Sequence, residues 1–289
     1  LSVPGRPPNA KSFVLDLLST LRRGAMPVRA LVASAALFGI AEGSVRVALT
    51  RLLGAGLVER DERGLYRLGQ AAAAVQRRVA AWRELDAQLL PWSGGWIGAF
   101  AGRAATPPSR ASQRRGERAL RLLGFRPLVR GLALRPDNLV GGATRVREEL
   151  SALGLAPGSV VCEVRELDPV SEARARKLWD TDDLVANYRR QRQRLDASTR
   201  RVRARSAEFA MVESFRVGGG ALRLLAHDPL LPEPIVPAAE RAALVDAMRD
   251  YDAIGRASWA GFLSRHGIRS GKSPVTPFDR HAIPRGGLR

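Results

Sequence analysis

Residues 39–68, Gly-Ile-Ala-Glu-Gly-Ser-Val-Arg-Val-Ala-Leu-Thr-Arg-Leu-Leu-Gly-Ala-Gly-Leu-Val-Glu-Arg-Asp-Glu-Arg-Gly-Leu-Tyr-Arg-Leu, constrain the fold more tightly than any other stretch of the chain. Val45, Leu49 and Leu52 recur at i, i+4 and i+7 and trace one apolar stripe of a helix whose start Ser44 can cap. Ser44, Val47, Thr50 and Arg51 point away from that stripe. Gly54 and Gly56 stop the helix, and 57–60 and 65–68 form two short strands about a turn at Asp61-Glu62-Arg63-Gly64. Helix, turn, strand, tip, strand is the pattern of a winged helix-turn-helix. An outer helix face of hydroxyls and arginine suits a DNA major groove.

The residues upstream complete that unit. Phe13, Val14, Leu17, Leu18 and Leu21 are spaced as one helix face, Gly24 breaks it, and Pro27 fits the first turn of a second helix. That helix carries Val28, Leu31, Val32, Ala35 and Ala36 and ends at Phe38-Gly39, with Ile40-Ala41 as the tight turn into the third. Three helices and a wing over 10–69 make a complete DNA-binding module. The same stripes would suit a protein-binding cap, but the outward Ser, Thr and Arg, with Arg60, Arg63 and Arg67 on the hairpin, favour DNA. Arg46 flanks the stripe and reads equally as a brace or a DNA contact.

The remaining chain divides by composition. Residues 1–9 read as a disordered leader, and 70–92 as a linking helix with Val75, Val79, Trp82, Leu85 and Leu89 on one side. Pro91-Trp92-Ser93-Gly94-Gly95 marks a boundary. Over 93–170 the order is strand (96–100), helix (113–123), strands (125–129 and 132–134), helix (138–153) and strand (160–164), which predicts a ferredoxin-like sheet with both helices on one face. Residues 171–266 read as a helical domain and 267–289 as a basic disordered tail. The fold class expected is therefore α+β multidomain: an N-terminal winged helix-turn-helix, a middle ferredoxin-like α/β domain and a C-terminal helical domain.

Charge sharpens the functional reading only so far. A net charge of +19 points to polyanions, but the excess is spread along the chain and only three of the 47 basic residues are lysine. The dense run from Arg189 to Arg205 is better read as a solvated helix face or mobile loop than as a phosphate track. The single cysteine, Cys162, lies in an apolar run and reads as packing. Three scattered histidines give no structural zinc spacing. No apolar run reaches the roughly 18 residues a membrane span needs, so a cytoplasmic protein with no membrane partner is expected.

Enzymatic readings find little. No Ser-His-Asp, Cys-His or glycine-loop signature is present, and His227-Asp228 reads as a capped turn before Pro229. A metal-dependent nuclease on the middle sheet is the alternative, but it needs a carboxylate at the end of the first strand. That strand runs out in Ala99-Phe100-Ala101-Gly102-Arg103, without one. No metal, cofactor or catalytic residue is expected.

Four sets of residues resemble the PaaX family of phenylacetic acid degradation repressors. They are 44–52 in the third helix; Leu122-Leu123-Gly124-Phe125-Arg126-Pro127-Leu128 with Gly131-Leu132-Ala133-Leu134-Arg135-Pro136; Leu178-Trp179-Asp180 with Tyr188; and Asp228-Pro229-Leu230-Leu231-Pro232. Their shared order over about residues 10–265 makes the resemblance fairly specific. It implies a bacterial, nucleoid-associated repressor, homodimeric on a double-stranded DNA operator and answering to an acyl- or aryl-CoA effector such as phenylacetyl-CoA. The DNA-binding residues expected are Ser44, Arg46, Val47, Thr50, Arg51, Arg60, Arg63 and Arg67. The chain departs from the family pattern at Ala238-Ala239-Glu240 and at Gly218-Gly219-Gly220, near regions that could shape an effector pocket.

Overall fold

The computed structural model describes residues 9–20, 25–100 and 109–268. The expected leader over 1–8, Leu21, the break at Gly24, the strand end at Ala101–Arg103 and the expected tail from 269 onward lie outside the described residues. The chain is a mixed α+β protein with two small antiparallel sheets set among helices.

The first helix, α1 (Ala10–Thr20), is capped by Asn9, whose Oδ1 accepts the Ser12 N–H at 2.8 Å, so Asn9 belongs to the helix start rather than to a leader. Strand β1 (Met26–Pro27) precedes α2 (Val28–Ala36), and Pro27 is the N-cap, one residue before the helical turn expected to hold it. Its ring fixes an extended approach and it has no N–H to leave unpaired. Gly39, at φ 71°, turns the chain into α3 (Glu42–Gly54). Strands β2 (Val58–Arg60) and β3 (Leu65–Leu68) follow, and β3 pairs with β1 as well, giving the order β1-β3-β2. The two-residue β1 is too short to leave any alternation in the sequence.

Helix α4 (Gln70–Ala80) stops short of the expected 70–92 span, giving way to 3₁₀ turns over Ala81–Glu84 and Asp86–Gln88. Trp82 and Leu85 are buried there as expected, whereas the Val75 side chain lies outside the described residues.

The second sheet is built by β4 (Trp96–Phe100), α5 (Arg110–Leu122), β5 (Arg126–Val129), β6 (Leu132–Pro136), α6 (Gly142–Ala152) and β7 (Val160–Val164), in the order β5-β6-β4-β7. Central β4 is buried along Trp96–Ala99, so both sheet faces are covered. Trp96 stacks on Trp179 with ring centroids 6.2 Å apart and donates to Glu172 Oε2 at 2.7 Å. Gly98 is required by close approach, since a Cβ there would lie 2.7 Å from Val164 Cγ2. Helix α6 begins four residues later than the pattern predicts, because Asn138 is drawn inward: its Nδ2 donates to Leu230 O at 2.7 Å. Cys162, expected as buried packing, is half-buried on β7.

Among the described residues, four helices follow: α7 (Pro169–Arg176), α8 (Thr181–Arg203), α9 (Ala207–Ala226) and α10 (Ala238–Arg265). Asp168, Asp180 and Ser206 cap the first three through their side chains. The triple glycine lies inside α9 and serves packing: Gly218 faces the Tyr251 ring, and a Cβ on Gly220 would meet Gln191 Nε2 at 3.1 Å. Gly267 and Ile268, expected to open the tail, instead close α10; Gly267 has φ 72°, and Ile268 is buried and donates its N–H to Leu263 O at 2.9 Å.

Two apolar clusters result, and the C-terminal helices enter both. One joins the second sheet to α8, α9 and α10 through Leu123, Phe125, Tyr188, Leu225, Leu231 and Tyr251. The other joins α1, α2, α3 and the β2–β3 hairpin to Met211, Phe215, Trp259, Phe262 and Leu263 of α9 and α10. Phe13, Phe38 and Phe215 form a ring triangle with centroids 4.9 to 5.4 Å apart. Asp16 and Arg223 bridge the same junction at 3.5 Å; burial pushes the Asp16 carboxyl up and the guanidinium partly offsets this.

The Asp228–Pro232 segment docks the bundle on the sheet. Asp228 is fully buried and accepts the Tyr188 hydroxyl at 2.5 Å and the Leu230 N–H at 2.7 Å. Buried Arg241 donates to Leu231 O at 3.0 Å, and Arg135, also buried, reaches Asn138 Oδ1 at 3.2 Å. Tyr188 is held protonated by burial and by the adjacent carboxylate, so it acts as the donor. Leu230 has a positive φ of 54°, a conformation kept by these bonds to both of its backbone groups.

Candidate nucleic-acid interface

Helix α3 starts at Glu42 behind Ala41, not at Ser44; Ala41 makes no side-chain cap bond. An acidic residue in the first turn suits the positive end of the helix dipole. Val45, Ala48, Leu49 and Leu52 are buried, one residue more than the predicted stripe, and Val45, Leu49 and Leu52 join the apolar cluster of α1 and α2. The opposite surface presents Ser44, Val47, Thr50 and Arg51, all exposed. Val47 keeps 51% of its surface in solvent, which leaves an apolar side chain among the polar groups of this face. Ser44, Val47 and Arg51 fall at i, i+3 and i+7, along one line of the helix. Thr50 lies beside that line and donates its hydroxyl to Arg46 O at 3.2 Å, keeping its acceptor lone pairs.

The hairpin follows from local chemistry. Gly56 at φ 63° ends the helix and Gly64 at φ 76° completes the tip. Asp61 Oδ1 accepts the N–H groups of Arg63 and Leu65 at 3.0 and 2.8 Å, an Asx turn that spends the acid on its own backbone. Arg60 stands opposite Tyr66 in the ladder, with its guanidinium carbon 5.8 Å from the ring centroid.

The five arginines expected to meet DNA are all exposed but not equivalent. Arg46 is paired with Glu42 on its own helix at 2.7 Å, and Arg67 with Glu59, directly across the ladder, at 3.2 Å. Glu59 also accepts the Gln70 N–H at 3.1 Å, which fixes it at the root of α4. Among the described residues, Arg51, Arg60 and Arg63 have no ion pair. The fold thus brings Ser44, Val47, Thr50 and Arg51 onto one helix surface and sets Arg60 and Arg63 on the adjoining hairpin.

Elsewhere, His227 and Asp228 diverge: the exposed imidazole Nδ1 sits 2.9 Å from Arg223 O while the carboxylate is buried on Tyr188. The 189–205 run falls on α8 and its C-terminal turn, with Arg189 paired to Glu240 at 2.6 Å and Arg201 to Glu213. Among the described residues, no three His, Cys, Asp or Glu side chains gather as a metal site, and no helix is long and apolar enough to cross a membrane.

Residues 9–72, which run from the cap of α1 to the first turn of α4, match the family model described as PaaX-like protein. The chain is also similar to a solved structure, the uncharacterised protein Rv0674 from Mycobacterium tuberculosis. The two share 25% identity and a TM-score of 0.57, over 88% of this chain and 99% of the other. No curated protein matches the chain.

Proposed function

We propose that the chain is a DNA-binding transcriptional regulator of the PaaX type, a homodimeric repressor whose residues 10–69 act as a winged helix-turn-helix. The reading is carried by the outward surface of α3: two hydroxyls, an exposed valine and an arginine free of any ion pair among the described residues, on a helix buried along its other side. The match of residues 9–72 to the PaaX-like family model supports it. Arg51 offers a two-pronged donor for a guanine edge, and Val47 an apolar surface for a thymine methyl. Arg60 and Arg63 on the wing meet phosphates, which position the helix without reading sequence. The 93–170 region is read as a ferredoxin-like domain from its strand order, and 171–266 as a helical body. An acyl- or aryl-CoA effector bound in the body would favour a dimer whose two reading helices no longer match successive major grooves.

Selection of duplexes from a randomised pool by the full chain, followed by shift assays at fixed salt, tests this. An enriched sequence is expected, and Arg51→Ala should weaken its binding by about 1–3 kcal/mol, the worth of one bidentate pairing with a base. No enrichment, or unchanged affinity in the folded variant, sinks the assignment. A CoA thioester that binds the folded state should raise the melting temperature.

A further inference from the structure

The wing arginines face a second feature that DNA reading does not account for. Between the N-terminus of α2, the wing tip and the last turn of α10 lies a cleft of about 600 Å³. Arg29 from α2, Arg60 and Arg63 from the wing, and His266 from the end of α10 line it, with Gly64 and Ile268. Three arginines from two separate parts of the fold thus line one cleft. Among the described residues none of the three forms an ion pair, and the cleft lining contains no carboxylate. Of the two acids in the tip, Asp61 is turned onto its own backbone, and Glu62, exposed beside Arg63, does not line the cleft.

Two of these groups are held in place before anything binds. Arg60 lies between the Tyr66 ring and the open side of Gly64, where a Cβ would come 3.3 Å from its Nη2. His266 lies against Phe262, with ring centroids 4.3 Å apart and planes tilted by 31°, and its Nδ1 lies 2.9 Å from Phe262 O, leaving Nε2 for other partners. Arginines lining a concave surface suit phosphate recognition, because planar guanidiniums pair with phosphate oxygens two at a time.

We propose that this cleft binds a small phosphorylated anion, and that occupancy withdraws Arg60 and Arg63 from DNA. The binding site stands on the cleft alone; the consequence for DNA rests on the regulator reading above. Such an anion would lock the wing against the end of α10, linking the state of the C-terminal helices to the reading head.

Pyrophosphate is a suitable probe. The full chain is titrated calorimetrically with it at constant ionic strength, alongside Arg29→Ala, His266→Gln and Arg51→Ala, each checked for an unaltered thermal melt. Saturable binding to the wild type and to Arg51→Ala is expected, with at least a tenfold loss in Arg29→Ala and a smaller loss in His266→Gln. Absence of saturable binding, or binding indifferent to both cleft substitutions, overturns the site. In parallel, pyrophosphate should weaken binding of a selected duplex to the wild type beyond an ionic-strength control, and should do so far less for Arg29→Ala. Unchanged duplex affinity at saturating pyrophosphate overturns the coupling. If Arg29→Ala loses duplex affinity while retaining pyrophosphate binding, the cleft serves the DNA backbone and the small-anion proposal fails. A chain that binds no duplex at all removes the regulator reading, yet the calorimetric result still judges the site.

Discussion

At the scale of single residues, what distinguishes the arginines of α3 and its hairpin is what each already holds. Arg46 and Arg67 are paired with Glu42 and Glu59, while Arg51, Arg60 and Arg63 have no ion pair among the described residues. Exposed pairs of this kind are worth only about 0.2–1 kcal/mol, so the pairing ranks the arginines rather than disqualifying two of them. Arg63, at the wing tip, should contact phosphate alone. Its replacement by alanine is expected to weaken binding to all duplexes alike and to reduce the slope of log affinity against log salt by about 0.9, the release of one counterion. Arg67→Ala should change the slope less, because the side chain is shared with Glu59. Salt titrations of both variants check this, and equal slopes would erase the distinction. The sequence exposes half of the pattern: Glu42 and Arg46 are four apart on a helix, where a pair is expected. The Glu59–Arg67 pair depends on the hairpin register, which spacing alone does not number.

At the scale of elements, the docking of the sheet on the bundle turns on one glycine. Gly124 has φ 79°, its carbonyl accepts the Trp179 indole N–H at 3.0 Å, and a Cβ there would lie 2.7 Å from Pro229 O. Gly124→Ala therefore incurs the left-handed backbone strain of about 1–2 kcal/mol and, beyond it, a clash with main chain that cannot rotate away. Chemical denaturation should show a loss above that backbone figure; a loss of a few tenths of a kcal/mol would mean the segment shifts freely. The elements most legible in the sequence were those whose periodicity is short and whose ends are marked by turn residues. The strands at 65–68, 96–100 and 160–164 coincide with their alternating or apolar runs. Helix starts were less legible, since a residue with capping chemistry does not by its identity alone fix where the helix begins. Ser44 has the chemistry of a cap but sits inside α3, and Asn138 is pulled out of α6 by a carbonyl 92 residues away. Likewise, nothing in the glycine run over 218–220 announces that Tyr251 and Gln191 fill the space it leaves.

At the scale of the molecule, the N-terminal helices do not close their own core. Phe13 of α1 and Phe38 after α2 are completed by Phe215 of α9, whose ring also stands 6.1 Å from Trp259 of α10. Trp259 in turn donates its indole N–H to Met211 O at 3.1 Å, tying the two bundle helices at this junction. Helices α9 and α10 also contribute Leu225, Leu244 and Tyr251 to the cluster under the second sheet, so the same two helices are structural members of both cores. A change in their packing must then be felt at the base of α3. The expected consequence is cooperative melting: calorimetry and a tryptophan signal should report one shared transition. Phe215→Ala removes a half-buried ring from the junction, so its cost should fall below the about 3–5 kcal/mol of a fully buried phenylalanine. It should also separate an earlier transition of the N-terminal helices from a later one of the sheet and bundle. A variant that still melts in a single step, merely at lower temperature, would show that the two cores are joined by packing other than this ring. Earlier loss of the sheet would place the weak junction on the Asp228–Pro232 side instead.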